Sequence, residues 1–205
     1  MRIKSLVALS FLMTAALQAA PAKFTKDSGT ITWTGGKQFV NDNHTGTVAL
    51  KEGTLDLAAK KGEFVIDMTT IQTTDKMDDE SKKKLSGHLS GDDFFKVSEY
   101  KDAKIVVKDI AKDGAKADSY IVTGDLTIRG KTNEIKFPAL ITEKAGKTTL
   151  AGSFDFNRTA YGVTYNNPQS FSITDVSKYV EDKSKKVKDK VIKEDIKIDI
   201  KLTSV

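Results

Sequence analysis

The sequence predicts an all-β protein, an eight-stranded antiparallel barrel with one or two short helices. Two observations carry this prediction. Apolar and polar residues alternate with period two along most of the chain. The alternating runs are joined by short connections, without the strand–helix–strand rhythm of a parallel sheet. An antiparallel meander of this kind removes its edges most economically by closing into a barrel.

The N-terminal segment is predicted to be an export signal that precedes the barrel. Arg2 and Lys4 form a basic start, and residues 6–17 are almost wholly apolar. Small residues follow, so cleavage after Ala19 or after Ala22 fits. This order is typical of a secretory signal peptide, and the apolar stretch is short for a membrane anchor.

We divide the chain into a signal peptide, residues 1–22, and a barrel domain, residues 23–205. The signal carries two basic residues and no acidic one, so its removal lowers the formal net charge from +5 to +3. Along the predicted strands, lysines alternate with acidic residues and form no basic stripe, which argues against nucleic-acid binding. We expect a soluble exported protein, periplasmic in a Gram-negative host.

Alternation in the first half of the domain places one set of apolar side chains on the inward face. Gly53 is expected to mark a turn within this region. The predicted inward residues are Ile31, Trp33, Val48, Leu50, Leu55, Leu57, Phe64, Ile66 and Met68.

The same pattern continues after residue 100. Asp113 and Gly114 form a turn signal, and Gly124 predicts a bulge or bend inside a long strand. Pro138 predicts that its strand is an edge or ends there. The predicted inward residues are Ile105, Val107, Tyr120, Val122, Leu126, Ile128, Ile135, Phe137, Leu150, Phe154, Phe156, Ile196, Ile198, Ile200 and Leu202.

Two stretches have helical spacing instead. The first runs from Asp78 to Ser90, with Asp78 or Asp79 as its N-cap and Gly91 as its stop. The second, residues 176–192, has lysines and acidic residues opposite its apolar side, which favours a solvated surface helix over a membrane-bound or partner-binding one.

Composition argues against most catalytic classes. The chain has no cysteine, which excludes thiolate metal sites, disulfides and lipoprotein acylation. His44 and His88 are its two histidines, and we interpret each as a structural hydrogen-bonding residue. Signatures of serine hydrolases, zinc proteases and nucleotide-binding loops are missing. We therefore predict no enzyme, no catalytic residue and no metal site.

The residues alone leave two interpretations of the barrel interior open. A small barrel is either filled by its side chains or left partly open for a ligand. Phe94, Phe95, Phe154 and Phe156 suit a channel lining, and they suit a packed core as well. Arg158 shares the strand face of the last two. It must reach solvent at the rim, where it would suit an anionic head group, or find a counter-charge.

Several motifs carry a family resemblance. The most specific are Leu-Thr-Ile-Arg-Gly at 126–130 and Asn-Arg-Thr-Ala-Tyr-Gly at 157–162, supported by Asp-Phe-Phe-Lys-Val at 93–97. In their order and spacing, from about residue 25 to the C-terminus, they resemble the YceI-like family of exported bacterial lipid-binding proteins. Lys101 replaces the proline usual after the Tyr100 position, and the lysine-rich stretch from Lys178 to Glu194 is longer than expected.

The resemblance implies a lipocalin-like, eight-stranded barrel around a long apolar channel, in a carrier and not an enzyme. The implied ligand is a long-chain amphiphilic lipid, such as an isoprenoid quinone or a prenyl phosphate or pyrophosphate. No other cofactor is implied. Family members are often associated with stress and can be dimeric, so we also consider a homodimer and transient membrane contact.

With this resemblance, the inward side chains are predicted to line the channel. Phe94 and Phe95 would gate or complete it, and Arg158, with Arg129 or His44, would meet a polar head. The predicted ligand-binding residues are Trp33, Val48, Phe64, Ile66, Met68, Phe94, Phe95, Ile105, Val107, Leu126, Ile128, Phe154, Phe156 and Arg158.

Two alternatives remain at this point. One is a stress protein that binds a fatty acid or fatty amide. The other is a secreted scaffold with a filled core, acting through its surface and the predicted helix in Lys178–Glu194.

Overall fold

Nine strands and one α-helix make up most of the structure, a computed structural model that describes residues 20–114, 116–168 and 190–205. Helix α1 spans Asp79–Ser90, and a short 3-10 helix spans Arg158–Tyr161. The strands are β1 Ala22–Thr25, β2 Gly29–Gly36, β3 Asn43–Asp56, β4 Lys61–Thr73, β5 Asp102–Lys112, β6 Ser119–Ile128, β7 Lys131–Lys144, β8 Lys147–Asn157 and β9 Asp195–Thr203.

Eight of these strands close into the predicted antiparallel barrel, which is confirmed. Their order is β3-β2-β9-β8-β7-β6-β5-β4, and β4 pairs again with β3. Strand β1 was not predicted. It pairs with the second half of β3, beyond the part that pairs with β2, and Phe24 is its buried side chain. A four-residue strand with one buried position is too short to show alternation.

The predicted alternation separates the inside of the barrel from its outside. Along β8, Phe154 and Phe156 are buried while Asp155 between them is exposed. On the outer surface, Lys108 Nζ of β5 lies 2.7 Å from Asp125 Oδ1 of β6 and 2.9 Å from Glu134 Oε2 of β7. On the outer face, therefore, charged side chains of neighbouring strands form ion pairs that are exposed to solvent.

The turn predicted at Gly53 is wrong. Strand β3 runs unbroken through this position, and the chain turns after Asp56 instead. A Cβ atom at Gly53 would lie 2.5 Å from the ring of Phe64, its cross-strand neighbour. The glycine is thus needed for a close side-chain approach inside the sheet.

Pro138 was predicted to mark either an edge or the end of its strand, and the strand end is wrong, because β7 continues to Lys144. Pro138 pairs with Ile121 of β6, but pairing with β8 begins only at Ala139. A proline is tolerated at a strand position where its lack of an N–H does not interrupt the hydrogen bonds between paired strands. A bulge was predicted at Gly124 within β6, but it lies on the neighbouring strand, because β5 carries the extra residue between the pairs Val107–Gly124 and Asp109–Thr123.

Helix α1 confirms its predicted caps. The Asp78 carboxylate accepts the backbone N–H of Ser81 at 2.9 Å, and the N–H of Gly91 donates to His88 O at 3.1 Å. The helix follows β4, at the end of the barrel where β2, β4, β6 and β8 also finish. We call this the helix end and the opposite one the distal end.

Two predicted segments fall outside the described residues in whole or in large part. The apolar stretch of the predicted signal, residues 6–17, lies outside them, as does most of the predicted helix at 176–192. The last residue of that helix is described and is not helical, because Ile192 forms an antiparallel bridge with Lys37. In the part of the chain that the structure describes, no helix has the length and apolar character to cross a bilayer.

A candidate ligand-binding cavity

A cavity of about 240 Å³ lies inside the barrel. A dry cavity of about 150 Å³ is already large enough to bind benzene, so this space can receive a ligand. The lining includes β3 residues from His44 to Leu55, a stretch that spans roughly 35 Å along an extended strand. The space therefore runs along the barrel and has the shape of a channel.

All fourteen side chains predicted to bind a ligand line this cavity. They come from six strands, from the segment after α1 and from the residue that follows β8. The structure brings them together, and contact with a ligand stays a prediction.

Sequence reasoning missed other parts of the lining. Strand β9 contributes Ile196, Ile198, Ile200 and Leu202, and α1 contributes Leu85, His88 and Leu89. The β9 residues were assigned to the inward face by their alternation, which was a sufficient signal to include them. The leucines of α1 lie four residues apart, on one helical face. That spacing predicts a buried face but does not say which part of the core it covers.

Among the described residues that line the cavity, those at the distal end are all apolar. Leu55, Ile141, Leu150 and Leu202 line it there and are almost completely buried. Every basic side chain of the lining lies instead at the helix end: Lys37, His44, His88, Arg158 and Lys193. The cavity thus has one apolar end and one basic end.

Aromatic side chains close part of the helix end. The His88 ring centroid lies 4.8 Å from the centroids of both Phe94 and Tyr165, in edge-to-face contacts. Phe94 and Phe95 are buried in the segment that leads from α1 to β5. Their place in the lining agrees with the predicted completion of the channel, and gating by them stays a prediction.

Arg129 does not line the cavity, in contrast to the head-group contact that we considered. It occupies the two-residue turn between β6 and β7, with a positive φ of 51°. One terminal nitrogen, Nη1, donates to Phe94 O at 2.7 Å and to Gly162 O at 2.8 Å. Arg129 therefore ties the segment after α1 to the turn after the 3-10 helix.

The strand position of Arg158 suggested that its side chain either reaches solvent at the rim or finds a counter-charge, and the structure shows a different arrangement. Its side chain is 0 % exposed and forms no ion pair with a described residue. Backbone carbonyls solvate the charge instead. Nε donates to Lys193 O at 2.8 Å, Nη1 to Val163 O at 2.7 Å and Nη2 to Ile192 O at 3.2 Å. Burial lowers the pKa of Arg158, since desolvation disfavours the charged form, but an arginine remains protonated at neutral pH.

His44 is a hydrogen-bonded residue of the rim, as predicted. Its Nδ1 lies 2.6 Å from Asp75 Oδ2. The same carboxylate accepts the backbone N–H and the hydroxyl of Thr45, each at 3.0 Å. Burial acts to raise the pKa of Asp75, but the hydrogen bonds from Thr45 and His44 outweigh it and hold this pKa below the ordinary value.

The Trp33 indole lines the cavity wall and covers a glycine on the next strand. A Cβ at Gly46 would lie 2.3 Å from the Trp33 ring, so only glycine fits beneath it. The Trp33 Nε1–H is buried and has no hydrogen-bond partner among the described residues. Those residues also contain no cluster of three or more histidine or acidic side chains that could hold a metal ion.

Comparisons with solved structures agree with this architecture. BcnA of Burkholderia cenocepacia has 19 % identity and a TM-score of 0.57, over 87 % of this chain and 100 % of that one. A polyisoprenoid-binding domain from Saccharophagus degradans, implicated in plant cell wall breakdown, has 14 % identity and a TM-score of 0.60, over 90 % and 98 %. At these identities the likeness establishes the fold alone.

A third match is the YceI protein of Campylobacter jejuni, with 18 % identity and a TM-score of 0.49, over 100 % of this chain and 98 % of that one. No curated protein matches the chain. The family model for the YceI-like domain matches residues 23–204, which is nearly the whole predicted barrel domain. The chain therefore belongs to the YceI-like family.

Proposed function

We propose that this protein is a periplasmic carrier or store of a long-chain isoprenoid or similar amphiphilic lipid, held inside the barrel. One observation carries the proposal. The cavity is apolar along its length and at its distal end, and its polar side chains are gathered at the helix end. An amphiphile is divided in the same way, since its chain is apolar and its head is polar.

Apolar burial provides enough free energy for such binding. Each methylene equivalent that is buried in the cavity contributes roughly 0.8 kcal/mol. Loss of translational freedom and ordering of a flexible chain reduce this gain substantially. An apolar lining of this kind selects a ligand by length and width, while the polar side chains at one end select its head.

Family membership supports the lipid assignment, since a solved relative of the same fold is described as a polyisoprenoid-binding domain. The predicted export signal supports a periplasmic location. In this proposal the fourteen predicted side chains contact the lipid, no other cofactor takes part and the protein catalyses no reaction. Transient membrane contact would let the lipid enter and leave, while dimerisation and a link to stress rest on the resemblance alone.

The alternative of a surface-acting scaffold requires a filled barrel. A cavity of about 240 Å³ lined by inward side chains of β2 to β9 speaks against it. A fatty acid or fatty amide would occupy the same channel as an isoprenoid, so it remains an alternative ligand.

Mass spectrometry of the exported protein tests the proposal. The full chain is expressed with its signal, purified from the periplasm and measured under native and then denaturing conditions. We expect an extra mass that is lost on denaturation, extracts into organic solvent and is identified as a long-chain lipid. A bare protein mass that does not change after incubation with quinones, prenyl phosphates and fatty acids would overturn the proposal.

A matched pair of variants locates the lipid. Leu126→Glu places a carboxylate in the cavity lining, whereas Thr123→Glu adds the same charge on the opposite face of β6. We expect Leu126→Glu to lose the extra mass and Thr123→Glu to keep it, with circular dichroism verifying the barrel in both. A folded Leu126→Glu protein with a full lipid load would contradict binding in this cavity.

A further inference from the structure

The cavity opens to solvent beside the connection between β2 and β3. Lys37 and His44 flank this connection and line the cavity, and each of their side chains is 33 % exposed. The distal lining differs, since Leu55, Ile141 and Leu202 are at most 3 % exposed. The helix end is therefore the place where a lipid can enter and leave the cavity.

Residues 37–42 form this connection, which we call the Phe39 loop. Lys37 N–H donates to Asp42 O, and Asp42 N–H donates to Val40 O, each at 2.9 Å. The ammonium of Lys37 also lies 2.6 Å from Asp42 Oδ2, so these two charges are paired within the loop. The Phe39 side chain is 57 % exposed. The loop thus presents an apolar ring to solvent from a hydrogen-bonded turn whose charges are balanced.

Tyr165 is a second exposed aromatic side chain at the helix end, where 38 % of its surface is accessible. One short segment joins Tyr165 to the Phe39 loop. In this segment Val191 O accepts the N–H of Gln38 at 2.8 Å, and the N–H of Ile192 donates to Asn166 O at 2.8 Å. The two exposed rings therefore belong to neighbouring parts of one surface.

The position of these rings distinguishes them from the other exposed apolar side chains. Apolar residues scattered singly are ordinary on a protein surface. The other large ones among the described residues are aliphatic: Val106 and Leu140 on the outer face of the barrel and Val205 at the C-terminus. Both aromatic ones lie at the end where the cavity opens. Aromatic side chains favour the boundary between water and a bilayer.

Resting on the proposed function, we infer that the helix end docks on a lipid bilayer. The rings of Phe39 and Tyr165 enter the interfacial layer, and the mouth of the cavity faces the membrane. A long-chain lipid then passes between the bilayer and the cavity without exposing its chain to water, which is unfavourable. Phe39 is thus a membrane-contact residue and does not itself line the cavity.

The available apolar area favours a membrane over a second copy of the chain. Even a completely buried aromatic side chain contributes at most about 250 Å², so the two rings together supply at most about 500 Å². A stable protein interface buries about 800 Å² on each partner. Insertion into a bilayer needs no complementary protein face, because fluid lipids adapt to the shape of the ring.

Vesicle binding tests the docking with a matched pair of variants. Phe39→Ser removes the ring at the helix end, whereas Leu140→Ser removes a side chain of similar exposure, 55 %, from the outer face of β7. Protein purified from the periplasm is floated with phosphatidylcholine vesicles at about 0.5 M salt, where attraction between surface charges is screened. We expect Phe39→Ser to lower the vesicle partition coefficient roughly fivefold and Leu140→Ser to leave it unchanged, with circular dichroism verifying both folds.

Lipid transfer provides a second measurement, because Trp33 lines the cavity and is the only tryptophan of the chain. Delipidated protein is loaded with dibromostearate, whose bromine atoms quench tryptophan fluorescence on contact, and is then mixed with phosphatidylcholine vesicles. Recovery of the Trp33 fluorescence reports the loss of the probe. We expect the transfer rate to rise with vesicle concentration in the wild type and to fall several-fold in Phe39→Ser, while the affinity for dibromostearate stays the same.

The outcomes separate this inference from the proposed function. Equal vesicle binding by Phe39→Ser and Leu140→Ser, or none by the wild type, overturns the docking, as does a transfer rate that is independent of vesicle concentration. A wild-type dimer that Phe39→Ser dissociates without weaker vesicle binding assigns the Phe39 loop to a second copy and also overturns it. If the wild-type protein carries no lipid and dibromostearate leaves Trp33 unquenched, the proposed function fails, and the vesicle comparison still decides the docking.

Discussion

The two ends of the barrel are built in different ways. At the distal end the strands are joined by short turns, and buried apolar side chains such as Leu55, Ile141 and Leu202 close the cavity. At the helix end two connections are long, those from β4 to β5 and from β8 to β9, and α1, the segment at 91–97 and the segment at 190–193 form the wall.

This difference shows where side-chain patterning is sufficient and where it is not. The distal end needs only apolar residues on the inward face of neighbouring strands, because closing the sheet brings them together. The helix end needs polar groups from separate segments to meet in defined geometry. Arg158 illustrates this requirement, since its three acceptors are carbonyls of Val163, Ile192 and Lys193.

The largest expected effect comes from removing the charge that organises the helix end. Arg158→Met leaves three backbone carbonyls without their donors, and an unsatisfied buried polar group costs about 1–3 kcal/mol. We expect the free energy of unfolding, measured in urea, to fall by at least ~3 kcal/mol. Lys197→Met, at an exposed position on β9, is the control and should change the free energy of unfolding by less than about 0.5 kcal/mol. A loss below ~1 kcal/mol for Arg158→Met would contradict the role of the three carbonyl bonds.

At the distal end, loss of packing is the dominant effect. Ile141 is 1 % exposed and its neighbour Leu140 is 55 % exposed, so the two offer a matched pair on one strand. Ile141→Ala is expected to cost about 2–4 kcal/mol in urea unfolding, and Leu140→Ala much less. Ile141→Ala should also leave any preference for the ligand head unchanged. A shift in that preference would show that the two ends do not act separately.

A smaller effect is expected where Arg129 ties two segments of the helix end. Arg129→Leu frees the carbonyls of Phe94 and Gly162, and we expect a stability loss of about 2 kcal/mol. Amide hydrogen exchange should become faster in residues 91–97. Arg129→Lys keeps the charge but has no planar fork, so it should fall between the wild type and Arg129→Leu. If amide hydrogen exchange in residues 91–97 were unchanged in Arg129→Leu, Arg129 would not be what holds this segment in place.

The smallest effect is a pH dependence at the rim. The pKa of Asp75 lies below its ordinary value of 3.8 in the folded protein. The carboxylate therefore stabilises the fold above that value, and its contribution is lost as the pH falls through the lowered pKa. We expect Asp75→Asn to cost about 1 kcal/mol at pH 7 and progressively less below pH ~4.

Asp27→Asn provides the comparison at the distal end, because Asp27 is exposed in the turn between β1 and β2. Its effect on unfolding should be small at every pH. If the cost of Asp75→Asn did not shrink in acid, the hydrogen bonds from Thr45 and His44 would not be the source of the stabilisation.

Local patterning predicted much of the fold and of the candidate site. Alternation identified the inward faces, and Phe64, Leu126 and Phe156 line the cavity as expected. The caps of α1 could also be predicted, because Asp78 and Gly91 form hydrogen bonds with backbone groups only three residues away. Both kinds of signal depend on residues that are close together in the sequence.

The β class, the antiparallel meander and the inward side chains follow from residue patterns along the chain, because the period of a strand is a local property of its backbone. The cavity inside the barrel, the close approach of Gly53 to Phe64 and the backbone carbonyls around Arg158 become visible only in the folded protein. These features depend on how far strands and segments lie from one another after closure. That distance is not encoded in any short stretch of residues.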